Sequence, residues 1–324
     1  MIELLGEDDF LTAMNGPCKK WRENCVKDGC FSSFDRTDIH YYYSIPESPK
    51  AVIVMFHGFG EFFGKYHEMA WYFYQEEYGF SFPEMRGHGL SGGKLPEKDL
   101  VHVRNYRQYV ADMKIFFESI VKIKAAPDIP KLLFAHSMGG AIGALYLEKY
   151  PDDFRGAILS SPMVRLKTGG ISPAKIRLLS IYVHLCHKQK CLSVGQHHFD
   201  GVNVFETSSC QSKVRYDYLF NQRLENEEYQ TYGATFGWSL ASLSATKKLI
   251  RNAGQIKTPL LVFEAGNDHL VDPGGYDDFL GRVPQAEHIR YETSKHEIFN
   301  STDDVRMDYY KNVFKALESF CSRP

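Results

Sequence analysis

Leu132-Leu133-Phe134-Ala135-His136-Ser137-Met138-Gly139-Gly140-Ala141 sets a serine among small residues where an apolar strand gives way to a helix. A chain that turns so abruptly holds the residue between the two elements in a strained conformation. Small neighbours are needed because strand and helix approach closely there. The strained residue projects its side chain outward. Ser137 Oγ is therefore expected at the carboxyl end of a sheet, ready to attack a carbonyl carbon. The Met138 N–H, at the new helix's N-terminus, would face the oxygen that becomes negative. The strict pattern for such a turn is G-x-S-x-G, and Ala135 occupies the place of its first glycine. A strand-to-helix turn with an incidental serine would read the same way locally, so the flanking chain has to decide.

Outward from this turn, strand and helix signals alternate. Ala51–Phe56 is apolar at every position, which suits a strand buried on both faces of a parallel sheet. Phe31–Phe34 and Ile39–Ser44 read as a short hairpin around Asp35–Asp38. Further strands are expected at Gly79–Pro83, Lys131–Ala135, Phe154–Ser160, Pro259–Glu264 and His288–Thr293. Helices are expected at Tyr66–Tyr78, Tyr106–Ile123, Gly139–Lys149 and Val305–Phe320. Such alternation predicts a doubly wound, mostly parallel sheet. Residues 1–28 read as a helical or irregular lead-in, with 29–162 and 251–324 forming the α/β core. Between them the regularity lapses, and residues 163–250 read as a helical cap inserted over the carboxyl edge of the sheet.

The bulk composition narrows the function. At 324 residues, with 44% hydrophobic and 24% charged residues, the chain is an ordinary globular one. A net charge of −2 and the lack of a dense Lys/Arg stripe argue against a general nucleic-acid binder. The amino terminus lacks a basic region followed by an apolar run, and no apolar stretch is long enough to span a bilayer. Seven cysteines do not read as a disulfide framework, so a reduced, cytoplasmic protein is expected. Cys186, His187, Cys191, His197 and His198 lie close together but fit no standard zinc spacing, and Lys188 and Lys190 oppose a metal there. Free thiols and surface imidazoles are the simpler reading.

A serine hydroxyl is a poor nucleophile until a base takes its proton, and the base needs an acid to fix its tautomer. On this architecture the partners follow in the order serine, acid, histidine, each after a later strand. Asp268 lies just past the strand ending at Glu264, and His296 lies in the loop after the next strand. Asp272 is a rival acid further from its strand end, while Asp152 and Asp153 read as solvated or capping. His136, His269 and His288 are rival bases: His136 adjoins the nucleophile and must point elsewhere, and His288 starts its strand at the wrong end. His57-Gly58-Phe59-Gly60 follows a strand, and its Phe59 N–H can join that of Met138 in an oxyanion hole. Arg86 and His88, in Glu84-Met85-Arg86-Gly87-His88-Gly89-Leu90-Ser91, read as groups that shape a loop beside the nucleophile.

These motifs together resemble the α/β-hydrolase superfamily, within it the group containing lysophospholipase L2 and monoacylglycerol lipase. The matching residues are His57-Gly58-x-Gly60-Glu61, Arg86-Gly87-His88-Gly89-x-Ser91, His136-Ser137-Met138-Gly139-Gly140, the Asp268 loop and His296-Glu297-Ile298-Phe299. Thr207–Ser209, Arg215-Tyr216 and Tyr232–Trp238 look like the lysophospholipase branch. Glu84 stands where the group typically has aspartate. The resemblance implies hydrolysis of a lysophospholipid or monoacylglycerol ester without metal or organic cofactor. It also implies Ser137, Asp268 and His296 as the triad, with Phe59 and Met138 as oxyanion donors.

Other readings keep the same fold. The triad would also serve a thioester, a feruloyl-type ester or a peptide amino terminus, because the cap forms the pocket. A non-catalytic binding protein is a further alternative, although an intact triad speaks against it. Epoxide hydrolases and dehalogenases need aspartate at the nucleophile's position. The apolar face of Ala174–His184 could lie on a lipid surface as a peripheral membrane contact, or face a core. Oligomeric state is not legible.

Overall fold

Val52, Val54 and Phe56 face one hydrophobic cluster while Ile53 and Met55 face another, so an unbroken apolar run fills both sides of one strand. This arrangement repeats across the sheet seen in a computed structural model, which describes residues 3–322. The strands are β1 (Lys27–Ser32), β2 (Asp38–Ser44), β3 (Val52–Phe56), β4 (Gly79–Pro83), β5 (Lys131–His136), β6 (Gly156–Ser160), β7 (Leu260–Ala265) and β8 (Glu287–Tyr291). Their spatial order is β1-β2-β4-β3-β5-β6-β7-β8. β1 pairs antiparallel with β2, and β2 with β4; every later pairing is parallel. The hairpin turns at residues 34–36, within the polar stretch expected to hold it.

The ten longer helices are α1 (Glu7–Asn15), α2 (Pro17–Cys25), α3 (His67–Gln75), α4 (Arg107–Phe116), α5 (Met138–Lys149), α6 (Pro173–Leu185), α7 (Lys213–Glu225), α8 (Phe236–Asn252), α9 (Pro273–Leu280) and α10 (Asp303–Ser322). α4 continues through a π-turn at Phe117–Val121 to Lys124. Core residues of α4, α5, α8 and α9 cover one face of the sheet, and those of α1, α2, α3 and α10 cover the other. The helix expected from Tyr66 is preceded by a 3₁₀ turn at Phe63–Tyr66.

Within 163–250 the chain runs through α6, irregular chain and α7, tied back by a two-residue parallel pairing of Leu100–Val101 with Gly233–Ala234. Its last helix, α8, packs Ala241, Ala245 and Leu249 into the core cluster of α4 and α5. α6 buries only Val183 among its own residues. Leu178 and Leu185 are 67% and 75% exposed, and Ile181 and Tyr182 are also exposed. Ile176, Leu179 and Val183 form the covered side of this helix, and the four exposed residues form a second apolar side that faces outward.

Candidate active site

Ser137 adopts φ 52° and ψ −117°, the left-handed geometry that a one-residue turn between β5 and α5 demands. Close approach makes the turn possible. A Cβ on Gly139 would lie 2.2 Å from the Phe56 carbonyl oxygen, so only glycine lets α5 start against the end of β3. The turn is held open by two bonds to the next strand connection: the Ser137 N–H donates to the Ser160 carbonyl at 3.1 Å, and the Met163 N–H donates to the Ser137 carbonyl at 2.9 Å.

Three side chains distant along the polypeptide converge at this edge. His296 Nε2 lies 2.7 Å from Ser137 Oγ, and His296 Nδ1 lies 2.6 Å from Asp268 Oδ2. The other carboxylate oxygen, Asp268 Oδ1, accepts the N–H groups of Leu270 at 2.7 Å and Val271 at 3.1 Å. Burial opposes charge on Asp268. The adjacent His296 and the two backbone donors outweigh burial and hold the carboxyl below its ordinary range, so it is ionised at neutral pH. The arrangement can pass a proton from the hydroxyl to the imidazole while the carboxylate fixes the ring.

The rivals lie elsewhere. Asp272 precedes the first residue of α9, and its side chain faces Arg165. His288 Nε2 meets Glu264 at 2.9 Å. His136 is buried with Nδ1 on the Ser160 carbonyl at 3.0 Å, and its ring packs 5.0 Å from that of His296. Burial pushes it down to about 4, despite Glu61 3.5 Å away, so it stays neutral.

The loop after β3 reaches the same place. His57 Nε2 accepts the Met85 N–H at 2.8 Å, leaving Nδ1 to donate to the Gly58 carbonyl at 2.7 Å. Glu61 takes the Gly58 N–H at 2.6 Å, whereas the neighbouring Phe59 N–H donates to no protein acceptor among the described residues. Met138, the first residue of α5, has no carbonyl four residues back within its helix. Two uncommitted N–H groups thus flank the serine turn. The Phe59 ring is fixed against Trp238 of α8 at 4.3 Å.

Arg86 shapes the adjacent loop from below, donating bidentately to Asp112 at 2.6 and 2.7 Å and reaching Asp35 at 2.9 Å. His88 is fully buried, bonds the Arg86 carbonyl at 3.2 Å, and is pushed down to about 3 by burial. Glu84, the departure from aspartate, takes the Leu90 N–H at 2.7 Å and faces His40. The Cys/His stretch does not assemble: Cys186 and Cys191 are exposed free thiols, His198 faces Asp99, and no three metal-binding side chains converge among the described residues.

Sequence reading missed one buried constellation. Lys65 Nζ lies 2.6 Å from both Glu61 and Glu297, which joins the Phe59 loop to the residue following His296. Burial works against the ammonium, but Glu297 and Glu61 together raise its pKa above the ordinary value. Its only trace in the sequence is the helix-like spacing of Glu61 and Lys65; the third member is more than two hundred positions away.

A family profile described as serine aminopeptidase, S33 matches residues 47–303. A probable lysophospholipase L2 of Haemophilus influenzae is 26% identical over 280 residues, covering 85% of each chain. A monoglyceride lipase of Rattus norvegicus is 31% identical over 271 residues, covering 82% of this chain and 81% of that one. A soluble variant of monoglyceride lipase from Saccharomyces cerevisiae, solved with a substrate analogue, superposes with a TM-score of 0.74 at 17% identity, over 93% of this chain and 97% of that chain. The architecture is the α/β-hydrolase fold.

Proposed function

The chain belongs to the serine aminopeptidase S33 family, and from that premise we propose that it is a serine carboxylester hydrolase cleaving a lipid-type ester, a lysophospholipid or monoacylglycerol, through an acyl-enzyme. The observation that carries the reading is the continuous relay from Asp268 through His296 to Ser137. The lipid-type substrate rests on the relatives named as lysophospholipase and monoglyceride lipase.

Ser137 Oγ attacks the ester carbonyl carbon as His296 Nε2 takes its proton. The carbonyl oxygen becomes an oxyanion beside the N–H groups of Phe59 and Met138, a contribution of several kcal/mol in such sites. Collapse expels the alcohol, which leaves with the proton held by His296. Water then surrenders a proton to His296 and attacks the acyl carbon. The second tetrahedral species releases the carboxylic acid and restores the Ser137 hydroxyl. Asp268 keeps its charge throughout.

A peripheral membrane contact through the cap accompanies this reading. The outward apolar residues of α6 would bury their side chains at a lipid surface, and no helix among the described residues is long and apolar enough to cross a bilayer. Seven free cysteines suit a reducing, cytoplasmic site of action.

Fluorophosphonate labelling of wild type and Ser137→Ala tests the nucleophile, with label expected on the wild type alone. A panel of monoacylglycerols, lysophospholipids, short esters, thioesters and aminoacyl amides, read by kcat/KM, tests the substrate class. The acylglycerol or lysophospholipid arm should lead. Leadership by the amides would replace the ester reading with an aminopeptidase one.

A further inference from the structure

A groove of about 1390 Å³ opens between α4, α5, α6 and α8, and none of Ser137, Asp268, His296, Phe59 or Met138 lines it. Five cations stand around it: Arg104, Arg107, Lys149, Lys190 and Lys248. All five are exposed, and among the described residues none makes an ion pair. In a chain of net charge −2, five cations around one concavity that holds a single carboxyl group focus a positive potential that a dispersed set could not.

We propose that this groove binds a phosphate-ester anion, at a site separate from the serine centre. Two further observations point the same way. Glu148 is the groove's one carboxyl group, and burial pushes it up to about 8, so near neutral pH it contributes little negative charge. Its Oε1 is buried without a hydrogen-bond partner, and Asn252, which also lines the groove, acts on the same side chain. His102 also lines the groove. Burial first, then the charges of Lys190 and Arg104, lower its pKa, so the positive field registers on a neighbouring side chain.

Phosphate is the anion that fits this set. Two arginine forks match its tetrahedral oxygens bidentately, and three lysines can neutralise a dianion that a single carboxylate would leave in excess. Val110, Leu145 and Leu240 give the rest of the wall an apolar character suited to the organic part of an ester. The source can be a free phosphoester or a lipid headgroup, because α6 carries groove residues Ser180 and His184 on the same helix as its exposed Leu178 and Ile181.

The test uses the full chain and an Arg104→Glu/Lys248→Glu double variant, whose fold is checked by circular dichroism. One arm titrates glycerol 3-phosphate calorimetrically at low salt, with glycerol as control. The other measures co-sedimentation with phosphatidylcholine vesicles with and without phosphatidic acid. Saturable binding of glycerol 3-phosphate, or retention that depends on phosphatidic acid, is expected and should weaken at least tenfold in the double variant. Hydrolysis of a soluble uncharged ester should stay unchanged. Binding in the first arm identifies a free phosphoester, and binding in the second alone identifies a headgroup. Absence of charge-dependent binding in both arms, or a double variant that binds like wild type, overturns the proposal.

Discussion

Ala135 carries one methyl more than the usual residue of the serine turn, and the opposing helix makes room for it. A Cβ built on Gly143 of α5 would lie 3.1 Å from the Ala135 Cβ, so the missing glycine of the strand has its counterpart one helical turn into α5. The two positions should therefore be energetically coupled. Gly143→Ala is expected to be better tolerated in an Ala135→Gly background than in wild type by about 1 kcal/mol, read from urea midpoints across the double-mutant cycle. Additive effects would mean the methyl is accommodated elsewhere. At the acid of the relay, Asp268→Asn should leave the fold intact but present the wrong donor to His296 Nδ1, lowering kcat by roughly 10⁴. Asp272→Asn should leave kcat within about twofold, since that side chain faces Arg165 rather than His296. A kcat loss that follows Asp272 instead would reassign the acid. That Ser137, Asp268 and His296 meet at one edge is legible in sequence because strand ends are local features, and their order along the chain is set by topology.

Loops placed by different strands need something to hold them in register, and Lys65 does this between the Phe59 loop and the His296 loop. Glu61 is buried and Glu297 largely so, and removing the ammonium leaves the two carboxylates without the cation between them. Lys65→Met is expected to cost about 3–5 kcal/mol of stability and to lower kcat. Adding Glu297→Gln should restore much of the stability, because the repulsion rather than the lost attraction dominates. Thermal unfolding and kcat of the two variants check this, and a double variant no more stable than the single one would contradict it. The sequence conceals this trio of charges because Glu61 and Glu297 belong to two separate motifs and nothing in either points to Lys65 as their common partner. α6 illustrates a different limit on legibility. Its apolar residues fit a buried face or a lipid-facing one equally well in sequence, and only the packing distinguishes them. With Leu178 and Leu185 exposed, Leu178→Asp/Leu185→Asp should reduce vesicle retention while leaving hydrolysis of a soluble ester unchanged. Unaltered retention would remove α6 from the membrane contact.

At the scale of the molecule, distant segments meet at buried polar centres that a linear reading cannot assemble. Glu68 of α3 accepts from Arg215 of α7 and Arg306 of α10, and both arginines also hold the Leu5 carbonyl of the lead-in. The cations of the basic groove likewise come from separate segments, so no Lys/Arg stripe announces them. The same long-range burial sets the response to acid. His57, His88 and His136 are enclosed in their neutral forms, with burial depressing all three and placing His88 at about 3 and His136 at about 4. A base whose folded pKa is depressed binds its proton first in the unfolded chain. Stability is therefore complete above the unfolded value of 6.5 and falls as pH drops from there towards the folded value. For His136 alone the loss between those limits is on the order of 3 kcal/mol. Asp268 acts in a lower window: its depressed carboxyl contributes stability above its ordinary value, lost as pH falls through the folded one. The protein should thus weaken on acidification from pH 6.5, well before carboxylates titrate. His136→Gln, although less stable at pH 7, should lose distinctly less between pH 7 and 4.5 than wild type. Urea midpoints at the two pH values measure this, and equal losses in both proteins would show that the buried imidazole is not what acid attacks.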